Sequence, residues 1–166
     1  LGLVPGTFGV LTLHRPENVD DPALFGALAA ALAKVAERLP LVYPVHHRVR
    51  DRLEGTALAA APGVRIIEPL GYVEMLALVR AAKAVVTDSG GLQEETTVLG
   101  VPCITLRGQT ERPITVEEGT SEIVGHDPAA INDAVERVLA GTWKKGRVPD
   151  LWDGHAAERI ADILLS

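Results

Sequence analysis

The sequence predicts an α/β protein, a doubly wound parallel sheet in a Rossmann-like three-layer domain. Short β-branched runs alternate with longer segments of helical period, which is typical of a sheet with helices on both faces. Most of the predicted strands are apolar almost throughout, as strands covered on both sides must be. The 166 residues, of which 47% are apolar, suffice for one globular domain with its own core.

Six strands follow from the β-branched runs: Gly9 to Leu13, Leu41 to Val45, Val64 to Ile67, Ala84 to Thr87, Cys103 to Leu106 and Glu122 to Val124. Between the first two strands, Asp20 or Asp21 caps a helix in which Pro22 takes an early position. Its sheet-facing stripe recurs at spacings of three and four: Leu24, Leu28, Leu32, Val35 and Leu39.

Four further helices are predicted before the linker: Val49 to Ala60, Tyr72 to Ala82, Leu92 to Leu99 with Gly100 as its stop, and Ala129 to Ala140 with Gly141 as its stop. The segment Gly141 to Asp150 is rich in turn and basic residues and indicates a solvated linker. A last helix covers about His155 to Leu165. Residues 1–150 would thus form the Rossmann-like domain, and residues 151–166 a terminal helix that packs on a domain absent from this chain.

Composition excludes several classes of function. Sixteen basic against twenty-two acidic residues give a net charge of −6, which argues against nucleic acid as a partner. No apolar run approaches the roughly 20 residues that span a bilayer, so no membrane segment is expected. The single cysteine, Cys103, lies in an apolar run and favours a reduced, cytoplasmic protein. Since the chain begins at Leu1 without an initiating Met, we expect it to belong to a longer protein.

Charged and small residues follow the predicted strands, at the end of the sheet where open α/β folds bind ligands. These segments are His14-Arg15-Pro16-Glu17-Asn18, His46-His47-Arg48, Asp88-Ser89-Gly90-Gly91 and Arg107-Gly108-Gln109-Thr110-Glu111-Arg112-Pro113. Six of the sixteen basic residues lie in or near these loops although the chain is acidic. That concentration indicates a site for a small anion.

The Ser89-Gly90-Gly91 turn joins a buried strand to a helix, and glycine lets the backbone approach a ligand while free N–H groups point at it. Phosphate is the expected ligand, although a tight turn that needs glycine for packing explains the tripeptide equally well. Glu94 and Glu95 are placed in the first helical turn, where the helix dipole favours carboxylates. One of them could instead hold ribose hydroxyls.

Three other charged positions have two interpretations each. His14 could act as an acid, a base or a donor to phosphate, but a lone loop histidine is more often structural. Arg112 is either a phosphate ligand or a surface ion pair, and its loop favours the first. If the second strand continues, His46 and His47 point in opposite directions, so we expect no zinc site and no other metal.

Four motifs together identify a family: His14-Arg15-Pro16-Glu17-Asn18, Tyr43-Pro44-Val45-His46, Asp88-Ser89-Gly90-Gly91-Leu92-Gln93-Glu94-Glu95 and Thr110-Glu111-Arg112-Pro113. In this order they closely resemble the C-terminal half of the non-hydrolysing UDP-N-acetylglucosamine 2-epimerases, over essentially the whole chain. In that family two Rossmann-like domains of the glycosyltransferase-B (GT-B) type enclose the nucleotide. This chain would be the domain that holds UDP.

The resemblance implies a role for individual residues. Ser89, Gly90 and Gly91 would bind the diphosphate, Glu95 would bind the ribose, and the stretch Leu70 through Met75 would lie near the uracil. His14, with Arg15 alongside, would take part in catalysis. His46 would belong to a second, activating UDP-N-acetylglucosamine site. Two departures put local contacts in question. Ile114 follows Pro113 where many members have Glu, and Leu151-Trp152 stands where the common form has Tyr-Gly.

The resemblance also implies a reaction without a cofactor. Elimination of UDP would give a 2-acetamidoglucal, and re-addition of UDP would invert C2, with UDP-N-acetylglucosamine and UDP-N-acetylmannosamine as the two substrates. The carboxylate base would come from the absent N-terminal domain, through which members usually form homodimers. A hydrolysing 2-epimerase, a GT-B glycosyltransferase and an inert UDP-binding module are the alternatives.

Overall fold

The computed structural model describes residues 2–166 and contains one six-stranded sheet. Its strands are β1 Gly9–Thr12, β2 Leu41–Pro44, β3 Val64–Ile67, β4 Ala84–Thr87, β5 Cys103–Thr105 and β6 Ser121–Ile123. Their spatial order is β3-β2-β1-β4-β5-β6, and every neighbouring pair is parallel. The predicted doubly wound sheet is therefore confirmed, with strand limits shifted by no more than one or two residues.

Helices connect the strands and cover both faces of the sheet. In the described part of the chain they are α1 Pro16–Val19, α2 Pro22–Ala36, α3 His47–Leu53, α4 Ala57–Ala60, α5 Tyr72–Ala81, α6 Gly90–Leu99, α7 Pro113–Glu117, α8 Pro128–Leu139 and α9 Ala156–Leu165. Asp21, one of the two predicted caps, is the N-cap of α2 and accepts from the N–H groups of Ala23 and Leu24.

The core consists of two apolar layers, one on each face of the sheet. Helices α2 and α8 pack on the first face, where their apolar stripes meet the side chains of Leu11, Val86 and Ile104. Helices α5 and α6 pack on the other face, against Val10 and Val85. Successive strand residues thus serve opposite layers, as the pleat requires. Burying each such aliphatic side chain contributes about 1.5 to 3 kcal/mol, so both faces must be covered.

The helices depart from the predicted pattern in three places. The single helix expected over Val49 to Ala60 is two helices, because Gly55 adopts a left-handed conformation (φ 75°) and Thr56 caps a new helix through its hydroxyl. Helices α1 and α7 were not predicted, since four or five residues are too few for a hydrophobic period to emerge. Each begins at a proline, the residue preorganised for a first helical turn.

The two ends of the fold differ in how well they are covered. Strand β3 lies at the sheet edge and is only partly buried, in contrast to the predicted covering on both sides. Helix α9 buries none of its residues, and Ile163, Leu164 and Leu165 are each more than 70% exposed.

None of the helices within residues 2–166 is long and apolar enough to cross a membrane.

Candidate functional site

The sheet order reverses between β1 and β4, and the carboxyl ends of the strands open there into a cleft of about 340 Å³, which we call the switch-point cleft. Its lining comes from strand ends, loops and helices far apart in sequence: Thr12, His14, Pro44, His46, Pro69, Leu70, Met75, Ser89 and Leu92. Four of the residues singled out in the sequence, namely His14, His46, Met75 and Ser89, therefore share one cleft. Parallel pairing of β1 with both β2 and β4 brings them together.

Asp88 is the buried residue that fixes one wall of this cleft. Fully buried at the end of β4, it accepts the backbone N–H groups of His14 (3.0 Å) and Arg15 (2.9 Å) and the Nδ2 of Asn18 (3.1 Å). Its Oδ1 also lies 2.9 Å from His14 Nδ1. Because Asn18 also donates to the carbonyl of Leu106, the loop after β1 is bound to both β4 and β5.

The charge of Asp88 determines which nitrogen of His14 carries a proton. Burial alone would raise the pKa of Asp88, but the hydrogen bonds from the side chain of His14 and from the N–H groups of Arg15 and His14 outweigh it, and the pKa lies below its ordinary value. An ionised carboxylate can only accept, so Nδ1 of His14 is the donor to Asp88. The Nε2 of a neutral His14 is then a free acceptor.

The N-terminus of α6 provides unpaired N–H groups. Helix α6 begins at Gly90, with Ser89 as N-cap accepting weakly from Leu92 N–H (3.4 Å). The first N–H groups of a helix have no intrahelical acceptor, and the described residues offer none to Gly90 or Gly91. The helix thus starts two residues earlier than predicted. The expectation that Glu94 and Glu95 occupy its first turn is therefore wrong, and simple capping no longer explains these carboxylates.

Arg112 lies directly over the start of α6. A Cβ added at Gly90 would be 3.3 Å from the Cδ, Nε and Cζ atoms of Arg112, so the guanidinium rests in tight contact with the helix end. Arg112 Nε is 3.1 Å from Glu94 Oε1 but has no partner in hydrogen-bond geometry. The free N–H groups of Gly90 and Gly91 and the free Nε donor of Arg112 therefore lie together at the start of α6.

A network of ion pairs links the loop after β5 to the segment after β1. The buried Arg107 binds Glu111 through both terminal nitrogens (2.7 and 2.9 Å) and Glu17 through Nε (3.1 Å). Arg15 approaches Glu111 at 3.4 Å. The hydrogen bonds from Arg107 lower the pKa of Glu111 to about 2. Glu111 is consequently an ionised anchor for two arginines rather than a group that takes up protons near neutral pH.

Glu95 faces a neighbouring cleft of about 380 Å³ between α5 and α6, lined by Tyr72, Leu76, Glu94, Glu95, Val98, Leu99 and Trp152. Its pKa is raised by partial burial and by the charge of Glu94. The structure thus separates Glu95 from the lining of the switch-point cleft. Trp152, one of the departures from the family pattern, adds an indole ring to the Glu95 side.

The histidines after β2 are arranged differently from the prediction. The strand stops at Pro44 and His46 caps α3, so the rings of His46 and His47 lie 4.0 Å apart instead of pointing in opposite directions. The ring of His46 is also 5.9 Å from that of His14. Partial desolvation and the nearby side chains of His47, His14 and Arg48 lower the pKa of His46.

Several residues of this region were missed as individual site residues in the sequence. They are Asn18, Asp88, Gln93, Arg107 and Glu111. A charged residue such as Asp88 between an apolar strand and two glycines is a detectable signal. Asn18 and Gln93 carry no comparable signal, because an amide inside a helix is ordinary until its long-range partners are known.

The open parallel sheet and its switch-point cleft define an α/β domain of the Rossmann class, whose members bind nucleotides at this edge. Residues 3–165 match the family model described as UDP-N-acetylglucosamine 2-epimerase. The chain belongs to this family. An Escherichia coli heptosyltransferase structure with ADP, 20% identical, has a TM-score of 0.54 over 86% of this chain and 46% of its own, a likeness of fold alone.

Two relatives illustrate the range of the family. The UDP-N-acetylglucosamine 2-epimerase of Methanocaldococcus jannaschii is 37% identical over 98% of this chain and 45% of its own length. Its structure in complex with UDP-GlcNAc and UDP has a TM-score of 0.82, with 38% identity over 95% of this chain and 45% of that one. The UDP-2,3-diacetamido-2,3-dideoxy-D-glucuronate 2-epimerase of Pseudomonas aeruginosa is 36% identical over 95% of this chain and 44% of its own. The chain spans slightly less than half the length of these relatives.

The buried carboxylate yields a test of stability against pH. Since the pKa of Asp88 is lowered on folding, its charge stabilises the fold above the unfolded pKa near 3.9, and that contribution is lost as the pH falls through the lower folded pKa. We expect Asp88→Asn to lower the free energy of unfolding by about 2 kcal/mol at pH 7, since several charge-assisted hydrogen bonds weaken. The deficit should shrink below about pH 4 in urea titrations. The exposed Asp162→Asn is the control, and a deficit independent of pH would contradict the assignment.

Proposed function

We propose that this chain is the UDP-binding C-terminal domain of a UDP-N-acetylglucosamine 2-epimerase that interconverts UDP-N-acetylglucosamine and UDP-N-acetylmannosamine. One observation carries the proposal: the free N–H groups of Gly90 and Gly91 and the guanidinium of Arg112 meet at the start of α6. Backbone donors, a helix dipole and a cation together suit a diphosphate. Family membership supplies the identity of the nucleotide sugar.

The nucleotide sugar would extend from this anion site in both directions, with the ribose and then the uracil on one side and the N-acetylhexosamine on the other. In our proposal Ser89, Gly90, Gly91 and Arg112 hold the diphosphate. Glu95 binds the ribose hydroxyls from the α5–α6 side, and Met75, which lines the switch-point cleft, lies near the uracil. A partly buried carboxylate with a raised pKa suits that role, because ribose hydroxyls replace the water that it has lost.

The reaction would proceed by elimination and re-addition. A base removes the C2 proton while the C1–O bond to UDP breaks, leaving a double bond between C1 and C2 and free UDP. UDP then returns to C1, and a proton reaches C2 from the opposite face. His14 and Arg15 would stabilise the leaving diphosphate, His14 also through proton transfer at Nε2.

The base that takes the C2 proton would lie outside this chain. Asp88 is already engaged by four donors, and Glu111 is held ionised with a pKa of about 2 by Arg107, so neither is suited to accept a proton reversibly near neutral pH. In line with the family resemblance, a carboxylate from the rest of the protein would face the cleft and act as this base. The length of the relatives leaves room for such a domain.

The same reasoning extends to the organisation of the whole protein. We propose that residues 1–150 form the UDP-binding unit and that residues 151–166 contact the remaining domain, because the apolar side of α9 is uncovered. The complete protein would be a cytoplasmic homodimer without a cofactor, joined through the other domain. His46 would belong to a second UDP-N-acetylglucosamine site that activates the enzyme.

A second candidate concerns the sugar. The diacetamidoglucuronate epimerase of P. aeruginosa is as similar to this chain as the N-acetylglucosamine epimerases are. Both substrates would present the same UDP to this half. The sugar-specific contacts would then come chiefly from the other domain.

Heavy water distinguishes these activities in the protein that contains this chain. We expect UDP-N-acetylglucosamine to yield UDP-N-acetylmannosamine with deuterium at C2, observed by NMR, because the C2 proton exchanges with solvent during elimination. The 166-residue chain alone should bind UDP without turnover.

Other outcomes would support other activities. Release of UDP and free sugar would support a hydrolysing enzyme. Turnover that depends on an acceptor would support a transferase. Exclusive turnover of the diacetamidoglucuronate would support the second candidate, and turnover by the chain alone would contradict the external base.

The two glutamates of α6 should differ in their effect on UDP. Successive helix residues point about 100° apart, so only one carboxylate can serve the ribose well. We expect Glu95→Gln to weaken UDP binding about tenfold in calorimetric titrations, the value of a lost charge-assisted hydrogen bond. Glu94→Gln should preserve or strengthen binding, because it removes the carboxylate that competes for Arg112. Equal losses in both variants would contradict the assignment of Glu95.

His14→Asn tests catalysis in the protein that contains this chain. The amide can still donate to Asp88, so melting temperature should be unchanged, while turnover falls at least about a hundredfold because no group transfers a proton at Nε2. His47→Asn is the matched control, because the ring of His47 contacts that of His46, which in turn neighbours His14. Equal losses of turnover, or a parallel fall in melting temperature, would make the role of His14 structural.

A further inference from the structure

We propose that Gln93 is a positioning residue, whose amide holds the loop of Arg112 over the start of α6. The inference rests on the proposed function, since it assumes that Arg112 binds the diphosphate. It concerns a side chain that reaches the anion site only through others. Gln93 is fully buried in the second turn of α6.

The amide of Gln93 connects two separate segments of the chain. Its Oε1 accepts the hydroxyl of Thr110 (2.7 Å), and the hydroxyl oxygen of Thr115 lies 3.4 Å away. Its Nε2 points back to the carbonyl of Ser89 (3.4 Å). Both ends of the amide are thus engaged, one with the loop after β5 and one with the N-cap of α6, and this polarity fixes the orientation of the amide.

Thr110 links the amide of Gln93 to the backbone of Arg112. Its Oγ1 donates to Gln93 and accepts the backbone N–H of Arg112 (3.0 Å). Thr115, which contacts Gln93 Oε1, donates its one hydroxyl proton to the carbonyl of Arg112 (2.8 Å). Both backbone polar groups of Arg112 are therefore tied to hydroxyls that meet at Gln93. The guanidinium projects from this tied backbone onto Gly90.

A purely structural role is the competing explanation, and the same helix offers a comparison. Thr96 and Thr97 are also buried polar residues of α6, but their hydroxyls bond to carbonyls of their own helix at Leu92 and Gln93. Gln93 instead crosses to the neighbouring loop. Its loss should therefore displace the loop that carries Arg112 and leave the helix itself intact.

The test is a double-mutant cycle on the 166-residue chain, with UDP and uridine titrated by NMR and melting followed in parallel. Gln93→Met and Thr110→Val should each weaken UDP binding roughly three- to tenfold, the value of one or two hydrogen bonds, while uridine affinity stays within about twofold. Added to Arg112→Ala, which itself weakens UDP binding, Gln93→Met should cost nothing more, because its effect passes through Arg112. Thr96→Val, which removes a buried hydroxyl without contact to the loop, should bind UDP like the parent chain.

Each other outcome has a definite meaning. If Arg112→Ala binds UDP normally, both the phosphate role of Arg112 and this inference fail. If Arg112→Ala weakens binding but Gln93→Met and Thr110→Val do not, or if the losses add, only the inference fails. Equal loss of UDP and uridine affinity would show general loosening of the domain and would also overturn it. Should Gln93→Met not fold, Thr110→Val decides, since it removes one hydroxyl from a part-buried loop.

Discussion

The buried carboxylate of Asp88 is the constraint on which the candidate site depends. Four donors from the segment between His14 and Asn18 converge on it, so the loop after β1 follows the end of β4. A buried charge is expensive unless it is satisfied in this way. The same hydrogen bonds keep Asp88 ionised and fix the orientation of the His14 ring. They leave the Nε2 of His14 available. Fold stability and the chemistry of His14 thus share one group.

The two arginines Arg107 and Arg112 differ in how strongly carboxylates of the chain bind them. Arg107 is buried and bound by two carboxylates, so it serves the loops rather than a ligand. Arg112 is part-exposed, and its contact with Glu94 is an ion pair of the surface type, worth about 0 to 1 kcal/mol. In the proposed complex, a diphosphate with two negative groups would displace Glu94 easily. The backbone of the site is therefore preorganised, whereas Arg112 can exchange Glu94 for another anion.

The surfaces that the structure leaves uncovered are those that the proposed second domain would contact. The switch-point cleft is open, and α9 exposes Ile163 and Leu164 to solvent. An apolar helix face left in water costs hydrophobic free energy until it is covered. The half length relative to the family members fits the same picture.

The sequence by itself determined the sheet, its helices on both faces, most strand limits and the motifs that identify the family. Those features rest on local periodicity and on residue types adjacent in the chain, such as Asp21 before α2 or Gly100 after α6. It could not determine the break at Gly55, the facing rings of His46 and His47, or the start of α6 at Gly90, since turn geometry decides each of these. Only the tertiary structure decided that Asp88 gathers the loop of His14, that Gln93 reaches Thr110, and that Arg112 covers Gly90. The physical reason is that these contacts join residues far apart in sequence, and hydrogen bonds formed across the carboxyl ends of parallel strands leave no period in the chain.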